Sequence, residues 1–125
     1  MVDPAGCIRE INAVTLATAD MAAAVAFYEA LGFATRYGGA DADFTSFHAG
    51  RGYLNLQLDA RYEAPAHVWG RVILWVDDVD AMHTRIVANG YATQMQPSDA
   101  PWGERYFHVR DPDGHEISVA RLLDD

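Results

Sequence analysis

The sequence predicts an α+β fold in which two tandem βαβββ modules form curved sheets around a cavity. The first observation behind this prediction is an internal repeat, because the chain aligns with itself without gaps at an offset of 58 residues. Residues 14–35 and 72–93 then share eight of 22 aligned residues. The second observation is that each copy shows one strand pattern, one helix pattern and three further strand patterns. The identical pairs are Val14/Val72, Leu16/Leu74, Asp20/Asp78, Ala23/Ala81, Ala30/Ala88, Gly32/Gly90, Ala34/Ala92 and Thr35/Thr93.

The first copy begins with a strand and a capped helix. The spacing of apolar residues over residues 11–18 is typical of a strand. Asp20 follows at the position where an N-cap oxygen accepts the first free N–H groups of a helix. Apolar residues then recur every three or four positions from Met21 to Leu31, and Gly32 can adopt the left-handed conformation that ends a helix. Three further strands are expected at about 33–37, 43–48 and 53–58.

The second copy shows the same order of signals. Residues 71–77 alternate as a strand, Asp78 is the expected N-cap, and Gly90 is the expected residue after the helix. Between them Val79, Met82 and Ile86 have helical spacing. The segment Asp-Pro-Asp-Gly ending at Gly114 predicts a turn before the last strand. The strands are expected at about 92–96, 105–110 and 115–121.

The whole chain, residues 1–125, is expected to be a single domain. A chain of 125 residues buries roughly 68% of its unfolded surface, so it needs no metal or disulfide to fold. Module one spans about 8–58 and module two about 71–122. The linker 59–70 between them contains Pro65 and several polar residues.

Composition excludes several classes of function. The net charge is −9, with nine Arg and no Lys, so nucleic acid and anionic membranes are poor partners, whereas a cationic ligand is favoured. Without Lys there is no Schiff-base nucleophile, and the lone Cys7 excludes an intramolecular disulfide. No apolar run approaches the roughly 18 residues of a membrane span, so we expect a cytoplasmic protein.

The duplicated βαβββ pattern and three short motifs resemble the vicinal oxygen chelate superfamily. The motifs are AFY followed by ALGF in the first helix, VDDVDA at the start of the second helix, and DPDGH before the last strand. This superfamily includes glyoxalases, extradiol dioxygenases, fosfomycin-resistance enzymes and bleomycin-binding resistance proteins. The resemblance covers the chain from Ile11 to Leu122.

In members that use a metal, the resemblance implies four ligands, usually His, Gln or Glu, on the first and last strand of each half. The matching positions here carry Ala13, Asn55 (or Gln57, two residues on), Arg71 and Ser118. Alanine has no lone pair to offer, the arginine cation repels a metal, and serine is a weak neutral ligand. We therefore expect no metal and no other cofactor.

Side chains alternate along a strand, so residues two positions from a lost ligand face the same cavity. The resulting mixture of aromatic, apolar and hydrogen-bonding groups suits an organic ligand. The expected lining is Thr15, Ala17, Gln57, Ile73, Trp75, Glu116 and Ser118.

The charged candidates allow two interpretations. Arg71 and Glu116 either fix a polar group of a ligand, with Glu116 meeting a cation or Arg71 a carboxylate, or pair with each other. The aromatic candidates Trp75, Trp102 and Tyr106, with Trp69 as a fourth, either stack on a planar ligand or pack in the core or a dimer interface. The predicted ligand-binding residues are Asn55, Gln57, Arg71, Trp75, Trp102, Tyr106, His108, Glu116 and Ser118.

The five histidines show no recognised metal-ligand spacing. If Phe107 and Val109 pack toward the helix, His108 faces the cavity. His108 and Glu116 are then candidates for a displaced metal site or an acid–base pair. His115 follows the turn glycine and is expected to be exposed.

The sequence thus predicts a metal-free protein that binds a small, aromatic and cationic molecule. The resemblance implies sequestration of a compound such as an antibiotic as one role for this binding. The alternative is a lyase, isomerase or dioxygenase that uses His108 and Glu116 or a relocated metal. A homodimer is expected, because each module presents an open sheet with edges to cover.

Overall fold

The computed structural model describes residues 6–124; residues 1–5 and 125, at the ends of the expected 1–125 domain, lie outside this range. The element order confirms an α+β fold with two βαβββ modules. The first module contains β1 (Ala13–Thr18), α1 (Met21–Ala30), β2 (Ala34–Tyr37), β3 (Phe44–Ala49) and β4 (Gly52–Leu58). The second contains β5 (Arg71–Trp75), α2 (Val79–Ala88), β6 (Ser98–Asp99), β7 (Glu104–Arg110) and β8 (Glu116–Leu122).

Each module forms one four-stranded sheet with the same strand order. The orders are β1-β4-β3-β2 and β5-β8-β7-β6. The first and last strands of each module pair in parallel, and the other neighbours pair antiparallel. A parallel pair needs a long crossover connection, and in both modules this connection contains the helix.

Both helices begin at the predicted N-caps. Asp20 Oδ1 accepts a hydrogen bond from the Ala23 N–H at 3.1 Å, and Asp78 Oδ1 accepts one from the Ala81 N–H at 3.0 Å. Each aspartate therefore satisfies one of the N–H groups that lack a partner within the first turn.

Both helices also end at the predicted glycines. Gly32 and Gly90 have φ of 102° and 90°, which is the left-handed region. After α1, the Phe33 N–H donates to the Tyr28 carbonyl and the Gly32 N–H donates to the Glu29 carbonyl. The same pair of bonds closes α2, so both ends are Schellman motifs.

The core lies between the helices and the faces of the sheets that pack on them. Apolar core residues occupy every second position on β1, β4, β5, β7 and β8, which fixes the register because a one-residue slip would turn them away from the helices. The largest fully buried side chains are Tyr28, Phe27, Phe47, Phe107, Leu16, Leu54, Leu56, Ile86, Ile117, Val79, Val109 and Val119.

The strand predicted at about 92–96 is wrong. Within this segment the structure has only an isolated bridge between Thr93 and Val109, and the edge strand β6 is two residues long. Thr93 Oγ1 lies 2.9 Å from His83 Nε2 and donates to the Met95 carbonyl. These local bonds, together with the missing N–H of Pro97, replace a regular ladder at this edge.

The prediction that His115 is exposed is also wrong, since only 4% of its surface is accessible. His115 Nε2 lies 2.8 Å from the Ala17 carbonyl, and Nδ1 accepts a hydrogen bond from the Trp69 indole at 3.1 Å. These two bonds require the neutral imidazole with the proton on Nε2. The turn thus packs against the first module, which the local sequence does not indicate.

Two further bonds complete this joint between the modules, which we define as Tyr28, Asp111, Asp113 and His115 with their partners. The Tyr28 hydroxyl donates to Asp111 Oδ2 at 2.6 Å in the core, and Asp113 Oδ1 accepts from the Ala19 N–H at 2.9 Å. Burial raises the pKa of Asp111, while its hydrogen bond from Tyr28 opposes that rise.

Neither helix in residues 6–124 has the length and apolar character to cross a membrane.

Candidate functional site

The open side of the second sheet, which we call the second-sheet face, carries the main candidate site. Phe107 and Val109 are fully buried on the helix side of β7, so Tyr106 and His108 lie on the open side, as predicted. The register arranges this face in three rows, each crossing β5, β8 and β7. The rows are Arg71–Glu116–Arg110, Ile73–Ser118–His108 and Trp75–Ala120–Tyr106.

In the first row, Arg71 and Glu116 form an ion pair. Arg71 Nε and Nη2 lie 2.6 Å and 2.5 Å from Glu116 Oε2. The Glu116 side chain is 6% exposed, whereas that of Arg71 is 47% exposed. Burial acts to raise the pKa of Glu116, but the hydrogen bond and the charge of Arg71 outweigh it and lower that pKa. Glu116 is therefore an ionised carboxylate covered by its arginine partner.

His108 lies on the middle row beside this pair. Burial lowers its pKa, the positive charge of Arg71 lowers it further, and Glu116 opposes both. The imidazole is consequently neutral at neutral pH, and it retains a donor and an acceptor.

Aromatic rings form a continuous series along β7 and the loop before it. The ring centroids of Trp102 and Tyr106 are 6.0 Å apart, and those of Tyr106 and His108 are 5.2 Å apart. Trp102 is 68% exposed, and its indole donates to Glu104 Oε1 at 2.6 Å. On the edge strand β5, Trp75 is 56% exposed. Large exposed aromatic surface of this kind is typical of a binding face.

In the second and third rows, the central strand β8 contributes only small side chains to the second-sheet face. Ser118 and Ala120 stand between large residues of β5 and β7, and both are buried beneath them. The strands flanking β8 are about 10 Å apart. A flat ligand therefore meets the rings and Arg71 before it meets the strand between them.

A groove of about 410 Å³ adjoins this face along β5. Ile73 and Trp75 form one wall, the end of α1 around Phe33 forms another, and the end of β3 contributes His48. Trp75 is thus shared by the groove and the second-sheet face.

The first-sheet candidates form a separate group. Asn55 Nδ2 donates to Thr15 Oγ1 at 3.2 Å, while Asn55 Oδ1 is buried and has no partner among residues 6–124. Gln57 Nε2 donates to the Asp43 carbonyl at 3.2 Å. Within residues 6–124, no hydrogen bond or ion pair joins these side chains to the second-sheet face. The structure therefore brings together Arg71, Trp75, Trp102, Tyr106, His108, Glu116 and Ser118, and leaves Asn55 and Gln57 apart.

The register supports the assignment of equivalent ligand positions in the two modules. Thr15 is opposite Asn55, and Ile73, its partner in the repeat, is opposite Ser118. Asn55 and Ser118 therefore occupy the same place in their sheets. Gln57, two residues on, is opposite Ala17.

The four positions do not fit a divalent cation. Ala13 has no donor, and Arg71 places a cation against the nearby carboxylate of Glu116. Across the described part of the chain, no group of three or more His, Cys, Asp and Glu side chains is arranged to hold a metal.

Sequence reasoning missed two residues near the site and placed another differently. Gln94, whose side chain lies close enough to Glu116 to lower its pKa, is in the segment interpreted as a regular strand. His48 lines the groove from the end of β3, where the sequence has no site motif. Trp69 contributes its indole to the joint at His115.

Several solved structures are similar to the whole fold. A glyoxalase/bleomycin resistance protein/dioxygenase from Nocardioides is 23% identical, with a TM-score of 0.76 over 94% of this chain and 86% of that one. TioX from Micromonospora sp. ML1 is 27% identical, with a TM-score of 0.71 over 92% of this chain and 100% of that one. A bleomycin-binding protein in complex with bleomycin is 21% identical, with a TM-score of 0.70 over 91% of this chain and 98% of that one.

A search of curated protein sequences gave no match. The family profile described as Glyoxalase/Bleomycin resistance protein/Dioxygenase superfamily matches residues 10–119, which is nearly the whole chain. The duplicated modules and the shared sheet topology agree with this match. The chain therefore belongs to the glyoxalase/bleomycin resistance protein/dioxygenase superfamily.

Proposed function

We propose that this protein is a metal-free small-molecule-binding protein that captures an aromatic compound on its second-sheet face. The observation that supports this most strongly is the aromatic series Trp102, Tyr106 and His108, which stands across β8 from Trp75. The two tryptophans are exposed, and Tyr106 and His108 are half-buried. Aromatic side chains with free faces stack on planar ligands and on cations. Sequestration of a drug is one role that such binding would serve.

The relatives support this class of function. One of the similar structures is a bleomycin-binding protein with bleomycin bound, so this fold can hold an organic compound. An antibiotic is accordingly one candidate ligand for this chain.

The ligand's charge has two separate determinants. Long-range attraction by the net charge of −9 favours cationic compounds during approach. Salt limits this attraction to about 8 Å at physiological ionic strength. Once the ligand is docked, the charged groups that it touches decide the preference.

We also propose a homodimer. Ile73 and Trp75 on the edge strand β5 are more than half exposed in the single chain, and pairing of subunits would cover them. Light scattering at micromolar concentration should give twice the chain mass. A monomer mass would refute the dimer and leave the fold unchanged.

Binding can be tested by titrating aromatic compounds while following tryptophan fluorescence. Trp102→Ala should weaken binding by about 1–3 kcal/mol, the range expected for a lost aromatic contact. Val87→Ala, an exposed apolar change on α2, is the control and should leave affinity unchanged. If Trp102→Ala instead weakens the dimer and leaves affinity per dimer unchanged, Trp102 is an interface residue and does not bind the ligand.

The competing proposal is a lyase, isomerase or dioxygenase, and it rests on the proximity of His108 to Glu116. The two groups influence each other's pKa, as members of an acid–base pair or a displaced metal site would. Elemental analysis after dialysis separates the metal-dependent form of this proposal from a metal-free binding protein. One equivalent of metal, lost in His108→Ala or Glu116→Gln, would favour the enzyme.

A further inference from the structure

Building on the proposed function, we propose that the second-sheet face selects aromatic compounds that carry a carboxylate, and that Arg71 is the residue that binds this group. The proposal rests on which member of the ion pair a ligand can touch. The Arg71 side chain is 47% exposed and that of Glu116 is 6% exposed. The accessible charge at this end of the face is therefore positive, although the protein as a whole is acidic.

The ion pair leaves part of the guanidinium unused. Arg71 directs Nε and Nη2 at a single oxygen, Glu116 Oε2, and Nη1 makes no hydrogen bond among the described residues. A guanidinium has five N–H donors in a rigid plane, so an edge remains for the two oxygens of a carboxylate. Glu116 holds the guanidinium in place, which reduces the entropy lost when the anion binds.

The other charged groups of the face do not reverse this sign. Glu104, which accepts the hydrogen bond of the Trp102 indole, lies at the opposite end of β7 from Arg110 and therefore far from the row of Arg71. Arg110, opposite Glu116 in the register, forms no ion pair within residues 6–124. The positive charge of Arg71 also lowers the pKa of His108, so its field extends to the next row.

The rows also have a suitable spacing. Residues two apart on a strand are separated by about 7 Å, so the Arg71 row lies one such step from the His108 row. A ring that stacks at His108 and Tyr106 can thus extend its carboxylate toward Arg71.

Three matched probes test the proposal: 2-naphthoate, 2-naphthamide and 2-naphthylmethylammonium, titrated by calorimetry and tryptophan fluorescence at physiological salt. We expect naphthoate to bind about tenfold more tightly than the ammonium compound, a difference within reach of one charge-assisted contact. The double variant Arg71→Gln/Glu116→Gln removes the cation without leaving a bare buried carboxylate, and it should abolish the preference while still binding naphthamide. Arg51→Gln, which removes an exposed arginine paired with Glu10, is the control and should retain the preference.

The outcomes distinguish this inference from the proposed function. Tighter binding of the ammonium compound, or a naphthoate preference that survives in the folded double variant, would overturn the role of Arg71. Failure of all three probes to bind the wild-type protein would instead overturn aromatic binding on this face. Circular dichroism of each variant shows whether it is folded.

Discussion

The two modules have the same strand order and the same helix ends, but their open faces carry different chemistry. In the first row of each sheet, module one has Ala13, Tyr53 and His48, whereas module two has Arg71, Glu116 and Arg110. The first set contains no ion pair among the described residues, and the second contains the buried Glu116 carboxylate with its arginine.

The repeat shows which residues determine the fold and which determine the site. On the first strand of each module, the helix-side pairs Val14/Val72 and Leu16/Leu74 are identical. The open-side positions all differ, and one example is Ala17, which corresponds to Trp75. One face of each sheet therefore maintains packing, while the other is free to acquire different ligand contacts.

The largest expected effect on stability comes from a substitution that compares the corresponding hairpin turns of the two modules. Gly50 lies in the turn between β3 and β4, and Gly114 lies in the turn between β7 and β8. Their φ angles are 61° and 85°. A Cβ on Gly114 would lie 2.8 Å from the Ala64 Cβ, whereas one on Gly50 would meet nothing within 4 Å. Gly114→Ala should lower the free energy of unfolding by about 2–5 kcal/mol through backbone strain and overpacking. Gly50→Ala should cost only the strain, about 1–2 kcal/mol.

Urea denaturation of both alanine variants measures this difference. Equal losses of stability would show that the second turn is not packed against the linker as described.

The next-largest effect is expected from removing the ion pair of module two, which makes its first row resemble that of module one. Arg71→Ala leaves the buried Glu116 carboxylate without its partner, and it should reduce the free energy of unfolding by about 1–3 kcal/mol. Adding Glu116→Gln should recover much of this loss, because the uncompensated charge is then removed. A double variant no more stable than Arg71→Ala would argue against the ion pair.

A smaller effect is expected from removing the buried hydroxyl of α1, which has no counterpart at the matching position of α2. Tyr28 corresponds to Ile86 in the repeat, and both are fully buried. Tyr28→Phe removes the hydroxyl that donates to Asp111, while Asp111 keeps the N–H bonds from Asp113 and His115. Thermal unfolding should show a loss of about 1–2 kcal/mol. Tyr91→Phe is the control, since the Tyr91 hydroxyl makes no hydrogen bond to any of residues 6–124, and the stability of this variant should be unchanged.

The smallest expected effect is a pH dependence of stability that arises from His108. The matching row of module one contains no histidine. The pKa of His108 is lowered in the folded state, so below the ordinary value of about 6.5 the unfolded chain binds more protons than the folded chain. Stability should therefore decrease as pH falls from about 6.5 toward the folded pKa. His108→Gln should flatten this part of the curve, and His67→Gln in the exposed linker should not. A curve that is unaffected by His108→Gln would contradict the prediction.

The sequence predicted the features that depend on local bonds. Asp20, Asp78, Gly32 and Gly90 act within one turn of their helices, so their roles follow from neighbouring residues. The edge at 92–96 was predicted wrongly, because the bond between Thr93 and His83 competes with the ladder there.

For the candidate site, the sequence could predict which face of the sheet carries it, but not the contacts between its side chains. Strand alternation places Arg71, Glu116 and His108 on one side of the sheet, but it does not say whether the charges pair or which partner is covered. Both depend on side-chain conformation and burial. His115 was misplaced for a related reason, since its partner Ala17 is 98 residues away.

The joint between the modules has a consequence for the order of folding. Its contacts close long stretches of chain, because Tyr28 and Asp111 are 83 positions apart in the sequence and His115 and Ala17 are 98 positions apart. The strand pairs within each module close much shorter loops, so their entropic cost is smaller. We expect each module to form first and the joint to form after the main folding barrier. Substitutions such as Gly114→Ala should then mainly accelerate unfolding, with little change in the refolding rate.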